Sequence, residues 1–183
     1  MPEISLSLLS LIFGALAIAG GTFGLAQREK AMDFSRNFPR HETIGPVLIL
    51  AGMTWFLFIL HGENMADFEG YRRPFYGIII ATGVGACFFL KDYLAVRGLA
   101  VLMILVAKLI VDTARFHESD WRILLVSIAY AKVVAGMWFT VSPWRMRDMI
   151  GWATANENRF KILCGTRLAL GVLLVVLGLT AFN

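Results

Sequence analysis

Four ionisable residues lie inside long apolar stretches of the sequence, where a charge has strong chemical consequences. They are Lys108, Asp112, Lys132 and Arg167. On the insertion scale, a charged side chain at the centre of a bilayer costs about 2.5–3.5 kcal/mol. Residues of this kind therefore face the interior of a helical bundle or a water-filled space, and each needs a partner of opposite charge.

Two of the four charges can neutralise each other, and one lysine is left over. Lys108 and Asp112 are four residues apart, so a helix places them on one face as an ion pair. A short turn near 117–120 makes the stretches on either side antiparallel neighbours, and Lys132 then lies about 5 Å deeper than Lys108 at about 1.5 Å per residue. Its side chain could still reach Asp112, but two lysines and one aspartate leave one positive charge without an anion.

The anion that Lys132 lacks has several candidate sources. The anion could come from an acidic residue of another subunit, from a lipid head group or from an anionic substrate. Alternatively, desolvation keeps one lysine neutral, or Lys132 faces a polar crevice with Ser127, Thr113 and Tyr130. Arg167 lies five residues after Ile162, where its apolar stretch begins, so its side chain can also extend to the cytoplasmic interface.

Two histidines follow apolar stretches on the same predicted face of the membrane. His61 ends the second stretch and His117 follows the fourth. A bis-histidine haem between them is geometrically conceivable, whereas single histidines at helix ends are usually polar caps at the interface. The sequence contains no HExxH, GxSxG, P-loop or dinucleotide-binding motif, and Cys87 and Cys164 lack the spacing of metal ligands. No catalytic or metal-binding residue is therefore assigned, and the cofactor is left open.

The overall composition explains why these charges lie in an apolar setting. Apolar residues make up 58% of the 183 residues and charged residues 16%, against about 45–50% and about 25% in soluble proteins. A soluble protein could not hide this much apolar surface, so we expect contact with a lipid bilayer. The net charge of +4 comes from basic loops, and no aromatic–basic pattern for stacked bases is present. Nucleic-acid binding is therefore not expected.

Six apolar segments predict a single all-α domain over residues 1–183, a polytopic transmembrane helical bundle. A helix needs about 17–25 residues to span the hydrocarbon layer, and runs this apolar do not build a closed barrel. The segments cover residues 4–26, 44–60, 75–90, 98–114, 123–141 and 162–182. The third is the shortest, and if it is re-entrant the number of spans is five.

The distribution of basic residues predicts that the N-terminus and the C-terminus both lie outside the cytoplasm, because lysine and arginine accumulate in cytoplasmic loops. One set of loops carries ten of them, Arg28, Lys30, Arg36, Arg40, Lys91, Arg97, Arg145, Arg147, Arg159 and Lys161, and the other carries four, Arg72, Arg73, Arg115 and Arg122. The first set is therefore cytoplasmic. We expect the chain in the cell membrane, which is the inner membrane if the protein is bacterial. The two long loops of this set, 27–43 and 145–161, are either interfacial segments or ordinary linkers.

Small residues at four-residue spacing predict which helices approach each other most closely. The first and third segments carry such rows, namely Ala17 with Gly21, Gly20 with Gly24, and Gly77 with Ala81 and Gly85. These two segments are therefore expected to make the tightest contacts. Other membrane subunits, or self-association, are expected for the chain as a whole.

Three functional hypotheses follow from these patterns. The first is a non-enzymatic subunit or assembly partner of a larger membrane complex, because catalytic motifs are missing and one intramembrane lysine lacks an anion. The second is a small carrier or channel for an anionic or proton-coupled solute, whose path the four intramembrane charges would line. The third is a haem- or quinone-associated electron-transfer subunit that uses the two histidines.

Overall fold

Eight α-helices account for most of the residues 5–90, 92–115 and 117–182, which are those that the computed structural model of the protein describes. The helices are α1 (Leu6–Ala26), α2 (Arg28–Asn37), α3 (Ile44–Gly62), α4 (Arg72–Phe89), α5 (Leu94–Ala114), α6 (Arg122–Val141), α7 (Trp144–Thr154) and α8 (Glu157–Thr180). Single 3₁₀ segments, Phe38–Arg40 and Ala66–Tyr71, precede α3 and α4. The described residues contain no strand, and the predicted all-α class is confirmed.

Five of the described helices, α1, α3, α5, α6 and α8, are long and apolar enough to cross a membrane. The predicted segment 75–90 forms α4, but two arginines occupy its first turn and it is not among the five. α5 begins four residues before the predicted start because Leu94, Ala95 and Val96 are buried against neighbouring helices. α8 begins five residues early because the Asn156 side chain caps it.

The closest helix pair is formed by α1 and α8, which run antiparallel. The Ser7 hydroxyl donates to the Gly178 carbonyl at 2.7 Å, and the buried Ser10 hydroxyl donates to the Leu174 carbonyl at 2.6 Å. One turn further along α1, Gly14 lies against the backbone of Gly171. Hydroxyl-to-carbonyl bonds and glycine contacts of this kind hold helices together where lipid gives no hydrophobic drive.

A second group contains α3, α4, α5 and α6. α3 and α5 run parallel, since Gly45 lies against Leu94 and, further along, Gly52 against Val101. α4 runs antiparallel to α3. Its first residue, Arg72, donates to the His61 carbonyl at the end of α3. Four residues separate the end of α4 from the start of α5, which lies beside the start of α3. No described residue of α4 is buried.

The two groups meet at both ends of the bundle. At one end a buried cluster joins α1 and α8 to α5 and α6, with Leu6, Ile110, Leu125 and Leu174 at its centre. At the other end, α2 and α7 lie side by side, and the Arg36 guanidinium donates to the hydroxyl and the carbonyl of Thr154 at 2.9 and 2.8 Å.

The two long loops are thus largely helical. Phe34 on α2 and Trp144 and Trp152 on α7 keep about half of their surface exposed, at 55%, 47% and 58%. Large apolar side chains mixed with arginines on short helices are typical of segments that lie in a membrane interface. We call this end of the bundle, formed by α2, α7 and the starts of α3, α5 and α8, the basic end.

Candidate functional site

A cleft of about 410 Å³ lies between the α1–α8 pair and the α5–α6 pair, and it contains two of the four charged residues of the apolar stretches. Twelve of the residues that line it are apolar. The other two are Lys132 from α6 and Arg167 from α8. A cleft that is lined mainly by apolar side chains and contains a few convergent polar groups is the usual form of a binding site within a helical bundle.

The two cations lie at a similar depth. Lys132 is nine residues from Val141, where α6 ends, and Arg167 is ten residues from Glu157, where α8 begins. Both of these helix ends belong to the basic end of the bundle, so at about 1.5 Å per residue the two side chains start near the same level. Two like charges at one level of a shared cleft repel each other.

Arg167 fits against α1 because Gly20 has no side chain. A methyl group added at Gly20 would come within 2.5 Å of the Arg167 Cζ atom, so the guanidinium group lies directly on the α1 backbone. Neither Lys132 nor Arg167 forms an ion pair with any residue that the structure describes. The hydroxyls of Ser127 and Thr113, which were candidates for a polar crevice, donate to carbonyls of their own helices.

Lys108 and Asp112 form a separate cluster. The Lys108 Nζ atom lies 2.5 Å from an Asp112 carboxylate oxygen, as their spacing predicts, and 3.2 Å from a carboxylate oxygen of Glu63. Asp112 thus pairs with Lys108 and not with Lys132. The sequence analysis missed Glu63, which follows α3 directly, because only the parallel packing of α3 and α5 brings the ends of these helices together.

The Lys108 cluster supports a prediction about stability. Lys108→Leu should lower the free energy of unfolding in detergent by about 1–2 kcal/mol, because Asp112 and Glu63 lose their cation. The Lys108 side chain is 42% exposed, so the full insertion cost does not apply. The double variant Lys108→Leu/Asp112→Leu should recover at least half of the loss in a thermal unfolding assay. Equal stability of the single and double variants would contradict the pairing.

The two histidines have separate surroundings. The His61 Nδ1 atom lies 3.3 Å from the Tyr76 hydroxyl. The His117 Nδ1 atom accepts a hydrogen bond from the Ser119 amide at 3.2 Å, and its ring meets the Phe182 ring edge-on at 5.4 Å. The haem hypothesis stays a prediction, which an absorption spectrum of the purified protein tests directly.

The small-residue rows are placed in two different environments. Gly21 and Gly24 lie against Cys164 of α8, Gly20 holds Arg167, and Ala17 lines the cleft. On α4, by contrast, a methyl group at Gly77 would meet no described atom within 4 Å, one at Gly85 would meet only Phe89 of the same helix, and Ala81 is exposed. The α4 glycine that packs within the chain is Gly83, against the Met53 side chain of α3.

No protein-family model matches this chain, and no curated protein or solved structure is significantly similar to it. The geometry of the cleft is therefore the basis on which its function can be argued.

Proposed function

We propose that this chain is a non-enzymatic subunit of a larger membrane complex, in which Lys132 and Arg167 bind an acidic side chain on a transmembrane helix of a partner. The observation that carries the proposal is the cleft itself. Two cations lie in it among twelve apolar residues, and neither has an ion pair with a described residue.

The energetics favour a partner with a carboxylate. A charge inside the bilayer costs about 2.5–3.5 kcal/mol. Lys132 is partly buried and carries more of this cost than Arg167, whose side chain is exposed, and placing two like charges in one cleft adds repulsion. A carboxylate at about 4 Å from one cation is attracted by about 4 kcal/mol at an effective dielectric constant of about 20. A shared carboxylate would therefore offset most of the cost that the isolated chain carries.

The surface of α4 supports assembly with other membrane helices or with a second copy. Several of its large side chains are exposed, with Ile78 at 61%, Phe88 at 71% and Phe89 at 88%. Its row of small residues around Ala81 lets another helix backbone approach closely. A helix that buries no described residue within its own chain is suited to contact with lipid or with a neighbouring subunit.

The proposal includes a layout of six spans with both ends outside the cytoplasm. Two parallel helices, α3 and α5, require the chain to return between them, and α4 is the element that returns. Its 18 residues extend about 27 Å at about 1.5 Å per residue, close to the hydrocarbon thickness. Contacts between Arg28 and Glu157 and between Arg36 and Thr154 gather arginine-rich segments at one end, which the positive-inside rule assigns to the cytoplasm. The membrane would be the cell membrane, or the inner membrane of a bacterium.

The test is charge-dependent co-purification of the full-length tagged chain after mild detergent extraction. The wild-type chain should bring down another membrane subunit, and Lys132→Leu/Arg167→Leu should reduce its recovery at least tenfold. The matched control is Arg159→Leu/Lys161→Leu, which removes two cations from the interfacial start of α8 and should leave recovery unchanged. Neutralising an acidic transmembrane residue of the partner should have the same effect as the first variant. A chain that is isolated alone and monodisperse, or a partner retained by the first variant, would refute the proposal.

The cleft volume of about 410 Å³ also favours a second candidate function, a carrier for a small anionic solute. In that case Lys132 and Arg167 bind the solute transiently. Lys132→Gln should then abolish anion flux in reconstituted vesicles while the protein still elutes as a folded species. Unchanged flux would remove this candidate.

A further inference from the structure

A second pocket lies at the basic end, away from the cleft. It has a volume of about 610 Å³ and lies where the end of α2, the 3₁₀ segment Phe38–Arg40, the residues just before α3, and α7 meet. Three arginines line it, Arg36 from α2, Arg40 from the 3₁₀ segment and Arg147 from α7. Glu42 is the acidic residue of its lining, so the pocket carries more positive than negative charge.

Two of these arginines converge on one hydroxyl group. The Tyr93 hydroxyl accepts hydrogen bonds from Arg40 Nη2 at 3.3 Å and from Arg147 Nη1 at 3.2 Å. The Arg40 guanidinium also lies over the Tyr93 ring, with its Cζ atom 5.5 Å from the ring centroid. Two guanidinium groups are therefore held close together. Arg147 is already paired with Asp148 at 2.8 Å, so an anion bound here would chiefly offset the charge of Arg40.

The residue at this junction has an unusual backbone. Tyr93 precedes α5 with φ 58° and ψ 26°, which is the left-handed region. Bulky residues rarely adopt it, and strain of this kind is often found where a ligand is bound. One turn along α5, the Nε atom of Arg97 is buried without a hydrogen-bond partner in the described part of the chain.

The arginines still have hydrogen-bond donors to offer. Arg36 uses Nε and Nη2 on Thr154, and Arg147 uses Nε and Nη2 on Asp148, at 3.1 and 2.8 Å. A guanidinium group has five N–H donors, so both arginines are fixed in position but not saturated. The Tyr93 hydroxyl accepts from two arginines and still has its own hydrogen to donate.

We propose that Arg36, Arg40, Arg147 and the Tyr93 hydroxyl bind a phosphate group at the basic end. Guanidinium groups match the geometry of phosphate oxygens. The exposed Trp144, together with the neighbouring α2, places the pocket at the level of lipid head groups in an interfacial arrangement. The phosphate is that of an anionic phospholipid or of a soluble phosphomonoester. The level of the head groups rests on the membrane layout proposed above, but the site shares no residue with the cleft, so its test is independent of partner binding there.

The experiment measures binding of a short-chain phosphatidic acid to the full-length protein in detergent by native mass spectrometry, with a short-chain phosphatidylcholine as reference. We expect Arg40→Gln/Arg147→Gln to weaken phosphatidic acid binding at least tenfold. Tyr93→Phe keeps the ring but removes the hydroxyl, and it should weaken binding about threefold. The matched control is Arg159→Gln, which removes a cation that contacts Trp152 at the same end and should change affinity less than twofold.

A second titration separates the two sources of phosphate. Displacement of bound phosphatidic acid by inorganic phosphate assigns the site to a soluble phosphomonoester, and its failure to compete assigns the site to a lipid head group. Under either assignment, phosphatidic acid binding must be weaker in the Arg40→Gln/Arg147→Gln variant and in Tyr93→Phe than in the wild type. The proposal is overturned if the double variant loses no more affinity than Arg159→Gln. If the double variant does not fold, wild-type affinity of Tyr93→Phe overturns it instead.

Discussion

Gly171→Val should lower the free energy of unfolding of the chain in detergent by about 2–3 kcal/mol, the upper part of the range for overpacked sites. A Cβ atom at Gly171 would lie 2.8 Å from the Gly14 carbonyl oxygen and 2.8 Å from the Ile18 amide nitrogen. Both atoms belong to the α1 backbone, so no side-chain rotation can make room. The helices would have to move apart, and the hydrogen bond from Ser10 to the Leu174 carbonyl would be lost with the close contact.

Gly165→Val is the matched control for this prediction, because it places the same side chain on the same helix. A Cβ atom at Gly165 would meet nothing within 4 Å among the described residues. The helix propensities of the two variants are the same, so the difference between their unfolding free energies isolates the contact with α1. Denaturation of the two proteins in identical micelles, followed by circular dichroism, measures it. Equal unfolding free energies would mean that α1 and α8 do not pack through Gly171.

Arg72→Leu should destabilise the α3–α4 hairpin, since hydrogen bonds that involve a charged group are stronger than those between neutral groups. The Arg72 guanidinium donates to the carbonyls of His61 and Glu63, both at 2.8 Å, and to the carboxylate of Glu69 at 2.7 Å. It thus satisfies carbonyls at the end of α3 that have no partner within the helix. Its side chain is only 20% exposed, and α4 has few other attachments to the chain.

Arg73→Leu provides the control for the loss of charge and of a basic residue in the first turn. Arg73 is exposed and makes no hydrogen bond or ion pair with the described residues. Limited proteolysis of the 63–71 connection should be faster in Arg72→Leu than in the wild type, and unchanged in Arg73→Leu. A similar rate in both variants would show that the guanidinium network does not hold the hairpin.

Together the two predictions concern the two halves of the bundle on either side of the cleft. Gly171 allows α1 and α8 to pack closely, and Arg72 joins α4 to the end of α3. Variants that loosen one half should also weaken partner binding in the co-purification assay, because Arg167 and Lys132 come from different halves. The cleft variants, by contrast, should affect recovery of the partner without loosening either half.

Much of the architecture could be predicted from local properties of the sequence. Apolar runs of suitable length predicted the helices, because a backbone in lipid must satisfy its amides within each helix. The pairing of Lys108 with Asp112 could also be predicted, since residues four apart share one face of a helix. Helix starts were less accurate at α5 and α8, because charged residues near the interface lie within the first turns and interrupt the apolar pattern.

Which helices become neighbours was decided only by the tertiary structure. The same spacing of small residues occurs on α1, where Gly21 meets α8, and on α4, where Gly77 meets no described atom, so spacing alone does not determine burial. The third member of the Lys108 cluster, Glu63, lies 45 positions before Lys108, and Lys132 and Arg167, which share the cleft, are 35 positions apart. Such contacts follow from the packing of whole helices against one another, and no local pattern of residues encodes that packing.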